Sequence, residues 1–266
     1  KQMSKSRKIF KCNLNDLKVS FTYEDTENNL ILNFLNNEFP YDAIRKKELD
    51  LFLFIEKLNS IKSYFAYHKA KIAIVLDKNL MQLIRNIPDH RDFITVEELS
   101  DHIIFKKISS EGFSRELKDF QKRNLRKLCA LPACADFSVP GAGKTTDALA
   151  FYSFKKTSNT KLMIISPLNA FASWEDELKE CFKVPKDLTR LPRGKGNLKK
   201  LLSLNPENSI INYECLLAEG NTSLLIRFLL ENPDTLMVLD ESHKAKGEKT
   251  FEKIKTFAPY VKNKII

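Results

Sequence analysis

Ser138-Val-Pro-Gly-Ala-Gly-Lys-Thr-Thr146 is the stretch on which the fold turns. It overlaps the stretch Ala135–Val139, which predicts a strand, and it opens a helical pattern running from about Lys144 to Lys156. Strand, glycine-containing turn and helix form the setting that a phosphate-binding loop requires. Glycines let successive backbone N–H groups converge on phosphate oxygens, and the helix N-terminus adds positive potential. In the pattern G-x-x-x-x-G-K-[ST] the lysine reaches the β- and γ-phosphates and the following hydroxyl meets Mg2+, parts that fall to Lys144 and Thr145. Pro140, Gly141, Ala142, Gly143 and Thr146 complete the expected cradle. One position departs from the pattern: Ser138 stands where the first glycine is usual.

Outward from this loop, strands and helices alternate. Strands are predicted at Leu162–Ile165, Ser209–Tyr213 and Thr235–Leu239, with a short one at Lys264–Ile266. Helices are predicted at Ala170–Phe182, Thr222–Glu231 and around Glu248–Phe257, and Ser114 could cap another carrying Leu117, Phe120, Leu125 and Leu128. Such alternation implies right-handed crossovers and a mainly parallel sheet covered on both faces. Ligands of such sheets sit beyond the carboxyl ends of the strands. There Leu236-Met-Val-Leu-Asp-Glu-Ser-His243 ends in two carboxylates. Asp240 suits an Mg2+ ligand, and Glu241 suits a base for the water attacking a γ-phosphate. His243 by itself is an ordinary polar residue, raised only by its place in this tetrad.

Composition narrows the field. The 266 residues are 43% hydrophobic and 29% charged, enough apolar material for a buried core. No apolar run approaches the roughly 18 residues of a membrane span, and no secretory signal pattern is visible, so an intracellular, cytoplasmic setting is expected. The chain opens at Lys1 rather than Met, so its natural start is expected elsewhere. Five scattered cysteines form no CxxC pair, which indicates neither a disulfide framework nor a zinc site. A net charge of +10 favours a polyanionic partner.

The loop and the Asp-Glu-Ser-His tetrad together resemble superfamily 2 helicases and translocases. Three further stretches are similar to the Swi/Snf-like branch. Ile164-Ile-Ser-Pro167-Leu168 followed by Trp174-Glu-Asp-Glu177-Leu178 looks like motif Ia, Ile210-Ile-Asn-Tyr213-Glu214 like the YE motif, and Leu117-Lys-Asp-Phe120-Gln121 like the motif whose Gln recognises adenine. The resemblance covers roughly residues 114–266. It implies a RecA-like first motor lobe that binds and hydrolyses ATP with Mg2+ through Lys144, Thr145, Asp240 and Glu241. Gln121 would meet the base, and His243 would couple nucleotide to the polynucleotide. Pro167, Leu168, Asn169 and Tyr213 would meet the nucleic-acid backbone. It also implies a second motor lobe in a longer chain, without which hydrolysis would be poor. Plainer readings stand beside these: Trp174 as helix core, Tyr213 as packing, Gln121 as a surface glutamine.

Glycine usage places a domain boundary near Ser109–Ser114, since none of the seven glycines precedes Gly112. Residues 1–111 read as a smaller α+β accessory domain, regulatory or docking a protein partner or nucleic acid, and residues 112–266 as the α/β lobe. In the front part Leu17, Val19, Phe21 and Tyr23 alternate, as do Leu30, Leu32 and Phe34, which suggests a hairpin. Phe54, Leu58, Ile61 and Phe65 recur at helical spacing, and Lys71–Leu76 reads as a strand. His68, His90 and His102 are isolated. Seven Lys or Arg between Lys183 and Lys200 face one acid, Asp187, and Arg193-Gly-Lys195-Gly196 reads as a mobile basic loop for backbone contact or plain solvation. Lysines between Lys244 and Lys264 read as solvated.

The expectation is an ATP-dependent motor on double-stranded DNA, in a microbial, anti-phage setting suggested by an Asn- and Lys-rich chain with an atypical front domain. The alternatives are a strand-separating helicase or restriction-enzyme motor subunit, and a non-hydrolysing ATP-gated interaction module.

Overall fold

The computed structural model describes residues 8–23, 29–68, 72–88, 99–139, 141–243 and 247–266. The chain divides into two compact units, Lys1–Asn86 and Ile87–Ile266.

The first unit contains β1 (Lys8–Asn15), β2 (Lys18–Tyr23), α1 (Leu30–Glu38), α2 (Tyr41–Lys46), β3 (Glu48–Asp50), α3 (Leu51–Tyr67), β4 (Ile72–Leu76) and α4 (Lys78–Arg85). Its sheet runs β3-β2-β1-β4, antiparallel except for the parallel β1–β4 pair. Alternation in β2 puts Val19 and Phe21 into the core with Phe10 and Cys12 of β1, Phe21 standing opposite Cys12 and Val19 opposite Leu14. The expected helix at Phe54, Leu58, Ile61 and Phe65 is α3, with all four buried and Asp50 accepting from the N–H groups of Phe52 and Leu53 as its N-cap.

The expected hairpin is displaced. Its partner for β2 is β1, joined through Asp16 in a left-handed conformation (φ 56°), while Leu30–Glu38 is helical. Ile31, Phe34 and Leu35 are the buried residues there, a helical spacing that the apolar identities at Leu30 and Leu32 disguise as alternation. Lys71 and His90 lie outside the described residues. The ring of His68 stands 4.5 Å from that of Tyr64.

The second unit is an α/β lobe of the expected class. It comprises α5 (Asp101–Ser110), α6 (Asp119–Ala130), β5 (Ala133–Cys134), α7 (Lys144–Lys155), β6 (Leu162–Ile165), α8 (Phe171–Glu180), β7 (Thr189–Arg190), α9 (Lys195–Ser203), β8 (Asn208–Ile211), α10 (Tyr213–Leu216), α11 (Asn221–Glu231), β9 (Leu236–Leu239), α12 (Glu248–Phe257) and β10 (Asn263–Ile265). Six strands in the order β5-β10-β9-β6-β8-β7 pair in parallel throughout. Every residue of β6, β8 and β9 is buried, as a sheet covered on both faces demands. Helix α7 is buried from Thr146 to Ser153, and each fully buried side chain such as Leu149 or Phe151 contributes about 1.5–3 kcal/mol.

Four expectations are corrected. Strand β5 precedes the expected Ala135–Val139, because Phe137 and Val139 alternate toward solvent rather than core; only Asp136 extends the pairing, its N–H donating to the Ile266 carbonyl. Ser114 caps no helix: its N–H and hydroxyl donate to the Cys181 carbonyl, and α6 begins at Asp119. The basic segment is not a loop throughout, since Gly194 caps α9 and Lys195 lies in its first turn. The boundary near Ser109–Ser114 moves to the end of the first unit at Asn86, because Ile104 and Ile108 of α5 are buried in the same core as Leu149 and Trp174. Glycine content could not report this, since packing rather than chain flexibility joins α5 to the lobe.

Candidate active site

Parallel pairing places the carboxyl ends of β5, β10 and β9 along one edge of the sheet, and the loops leaving them meet there. A cleft of about 470 Å³ is lined by Gly141, Gly143, Lys144 and Thr145 from one side and by Asp240, Glu241, Ser242 and His243 from the other. An adjoining cleft of about 390 Å³ again pairs Thr145 with Asp240 and Glu241. The two motifs, far apart in sequence, thus share one wall-to-wall space.

Each side has a local cause. Gly141 (φ 79°) and Gly143 (φ 86°) adopt left-handed conformations that admit L side chains only with strain, and Gly143 caps α7. Lys144 is exposed and has no acidic partner among the described residues, so its ammonium is free for an anion. Pro140 lies outside the described residues. Ser138 does not stand as a mere substitute for glycine: its N–H and hydroxyl both donate to Asp136 Oδ1, and the Asn124 amide donates to its hydroxyl oxygen. Helix α7 carries Asp147, fully buried, with the side chains of Asn124 and Gln121 as its polar neighbours. Burial, reinforced by nearby Asp136, pushes its carboxyl up to about 7.

On the acidic side, β9 ends in a sharp bend. Asp240 N–H still donates to the Ile165 carbonyl, but Glu241 turns left-handed (φ 50°), a conformation that costs a non-glycine residue about 1–2 kcal/mol. Glu241 Oε2 stands 3.0 Å from His243 Nδ1, and both side chains are more than half exposed. The Asp240 carboxylate is held by the Ser166 hydroxyl and the Trp174 indole N–H, each 2.8 Å from Oδ2.

Helix α8 also reaches the loop helix. Thr146 Oγ1 donates to Glu177 Oε2 at 3.2 Å, and Arg115 Nη1 donates to Glu177 Oε1 at 3.4 Å. Trp174 and Glu177, one helical turn apart, thereby tie both motifs to one element. Sequence reasoning left Glu177 and Ser166 without a role; their place beside Trp174 and Pro167 in the quoted motif was the available signal.

Other expected residues fall differently. Gln121 is buried and lies outside the cleft lining; its Oε1 accepts from Lys118 N–H as a capping box, and its Nε2 donates to the Gly143 carbonyl. It thereby braces the loop, and its burial corrects the plainer reading of it as a surface glutamine. Ala142 N–H donates to the Val139 carbonyl within the loop. Pro167, Leu168, Asn169 and Tyr213 do line one groove, of about 620 Å³, with Leu168 exposed. Tyr213 is itself buried, and its hydroxyl donates to the Asp240 carbonyl at 2.7 Å. Burial, with Asp240 and Glu241 near, pushes that phenol up, so it stays a donor. Arg193 and Lys195 do not line this groove. The Arg193 carbonyl accepts from Asn221 Nδ2, and the Lys195 chain lies over Gly220. Within the basic segment Lys186 pairs with Glu207 and Arg190 with Glu175.

The donors facing the cleft are a hydroxyl and carboxylates, a set of hard oxygens that suits Mg2+. Among the described residues no group of three or more His, Cys, Asp or Glu could hold a metal unaided.

The fold is similar to that of a crystal structure of the UvsW helicase from bacteriophage T4, at 15% identity and a TM-score of 0.45, over 96% of this chain and 90% of that one. A second structure of T4 UvsW is similar at 14% identity and a TM-score of 0.46, over 96% of this chain and 51% of that one. No protein-family model matches the chain, and no curated protein does. Among the described residues no helix is long and apolar enough to cross a membrane.

Proposed function

We propose that the protein is a nucleic-acid-dependent ATPase motor of superfamily 2, of the Swi/Snf-like type, moving on double-stranded DNA. The observation that carries this reading is the single cleft faced by Lys144 and Thr145 on one side and by Asp240, Glu241 and His243 on the other. The triphosphate would lie on the N–H groups of Gly141 and of Gly143 to Thr146, where the α7 N-terminus and the Lys144 ammonium oppose its charge. Thr145 and Asp240 would hold Mg2+, which neutralises charge on the β- and γ-phosphates. Glu241, in its bent position, would orient water and take its proton, and His243 at 3.0 Å would stabilise the carboxylate that does so. The groove at Pro167–Asn169 would meet the nucleic-acid backbone, and its contacts with phosphate would be independent of base sequence.

ATP hydrolysis measured alone, with blunt duplex DNA and with single-stranded DNA tests this. Stimulation by duplex, abolished in Lys144→Ala, is expected. Stimulation by single strands alone would favour a strand-separating helicase or restriction-enzyme motor subunit. No hydrolysis under any condition would favour an ATP-gated interaction module.

A further inference from the structure

The two hydrogen bonds on Asp240 fall on the same oxygen. Oδ2 accepts from the Ser166 hydroxyl and from Trp174 Nε1, both at 2.8 Å, while Oδ1 accepts none among the described residues. The donors come from different elements, Ser166 from the end of β6 and Trp174 from α8, and both are buried. An indole N–H can only donate, and a buried one must find an acceptor. Here the acceptor is the acidic end of β9. Two donors converging on one oxygen fix the rotation of the carboxylate and spend the lone pairs of that oxygen on the protein. The lone pairs of Oδ1 remain.

We propose that Trp174 and Ser166 are positioning residues that pin Asp240 by Oδ2, so that Oδ1 is the oxygen offered to the divalent cation accompanying a bound nucleotide. This rests on the nucleotide-site reading above. The pin is anchored, since the same helix α8 holds Thr146 through Glu177. Partners of a metal-ligating carboxylate commonly change metal affinity about 10- to 100-fold when removed. Simple packing predicts otherwise, because a loosened core would weaken nucleotide binding with or without metal.

The test follows binding of ribose-labelled fluorescent ADP, first in EDTA and then with rising Mg2+, for the wild type, Trp174→Phe and Ser166→Ala. Metal-free affinity is expected to stay within about twofold, while the Mg2+ midpoint rises about 10- to 100-fold for Trp174→Phe and moves the same way for Ser166→Ala. Trp174 is the one tryptophan in the chain, so its emission in the ADP-loaded wild type should change as Mg2+ is added. Ser166→Ala removes only a hydroxyl and keeps that fluorophore should Trp174→Phe fail to fold. Wild-type Mg2+ midpoints in Ser166→Ala, or equal losses with and without metal, overturn the proposal. A wild type that binds no ADP at all overturns the nucleotide-site reading along with it.

Discussion

The Tyr213 hydroxyl donates to the main-chain carbonyl of Asp240 at 2.7 Å, joining the start of α10 to the end of β9. The next residue is Glu241, whose left-handed backbone (φ 50°) re-aims the chain into the cleft. A strained position persists only where its surroundings hold it. Tyr213→Phe is expected to lower unfolding free energy by about 1 kcal/mol and to cut turnover more than nucleotide affinity. Denaturant midpoints and ATP titrations check this; a variant with wild-type turnover would remove Tyr213 from the site.

On the proposed roles, with Glu241 as the base and Lys144 and the loop as the binding elements, Glu241→Gln should retain nucleotide binding and lose about 10²- to 10⁴-fold in turnover. Loss of ATP binding in proportion to turnover would contradict that role.

The two loop glycines should differ. Gly141→Ala and Gly143→Ala each face about 1–2 kcal/mol of left-handed strain. A Cβ at Gly141 meets nothing within 4 Å, whereas one at Gly143 comes 3.0 Å from Gln121 Nε2. Gly143→Ala should therefore destabilise more and disturb the Gln121 brace, weakening nucleotide binding further. Equal effects at both positions would show that Gln121 yields freely.

Adjacent residues of α5 test where the lobe begins. Ile104 is fully buried in its core and Ile103 is 51% exposed. Ile104→Ala should cost about 2–5 kcal/mol and Ile103→Ala within about 0.5 kcal/mol, read from thermal or denaturant unfolding. Similar values for the two would detach α5 from the lobe.

The parallel sheet was legible because its inner strands are short, wholly apolar runs such as Leu162–Ile165 and Leu236–Leu239, which have no other place to go than between two layers. Helix α3 was legible because its apolar period has no competitor. Helix α1 was not, since Leu30, Leu32 and Phe34 fit a strand as well as Ile31, Phe34 and Leu35 fit a helix. Helix α9 hid behind Gly194 and Gly196, which read as loop until Leu198 and Leu202 found the core.

Residue order alone determined the phosphate-loop pattern, the acidic strand end and the alternation that makes both open on one edge, because backbone conformation and crossover handedness are local matters. Only the tertiary structure decided what those groups touch. The sequence did not say what Trp174, Gln121 and Tyr213 touch. Packing buries all three and gives the indole N–H to Asp240, the amide to Gly143 and the phenol to the Asp240 carbonyl. A buried donor must take whichever acceptor the assembled fold brings within reach, and sequence spacing does not contain that distance.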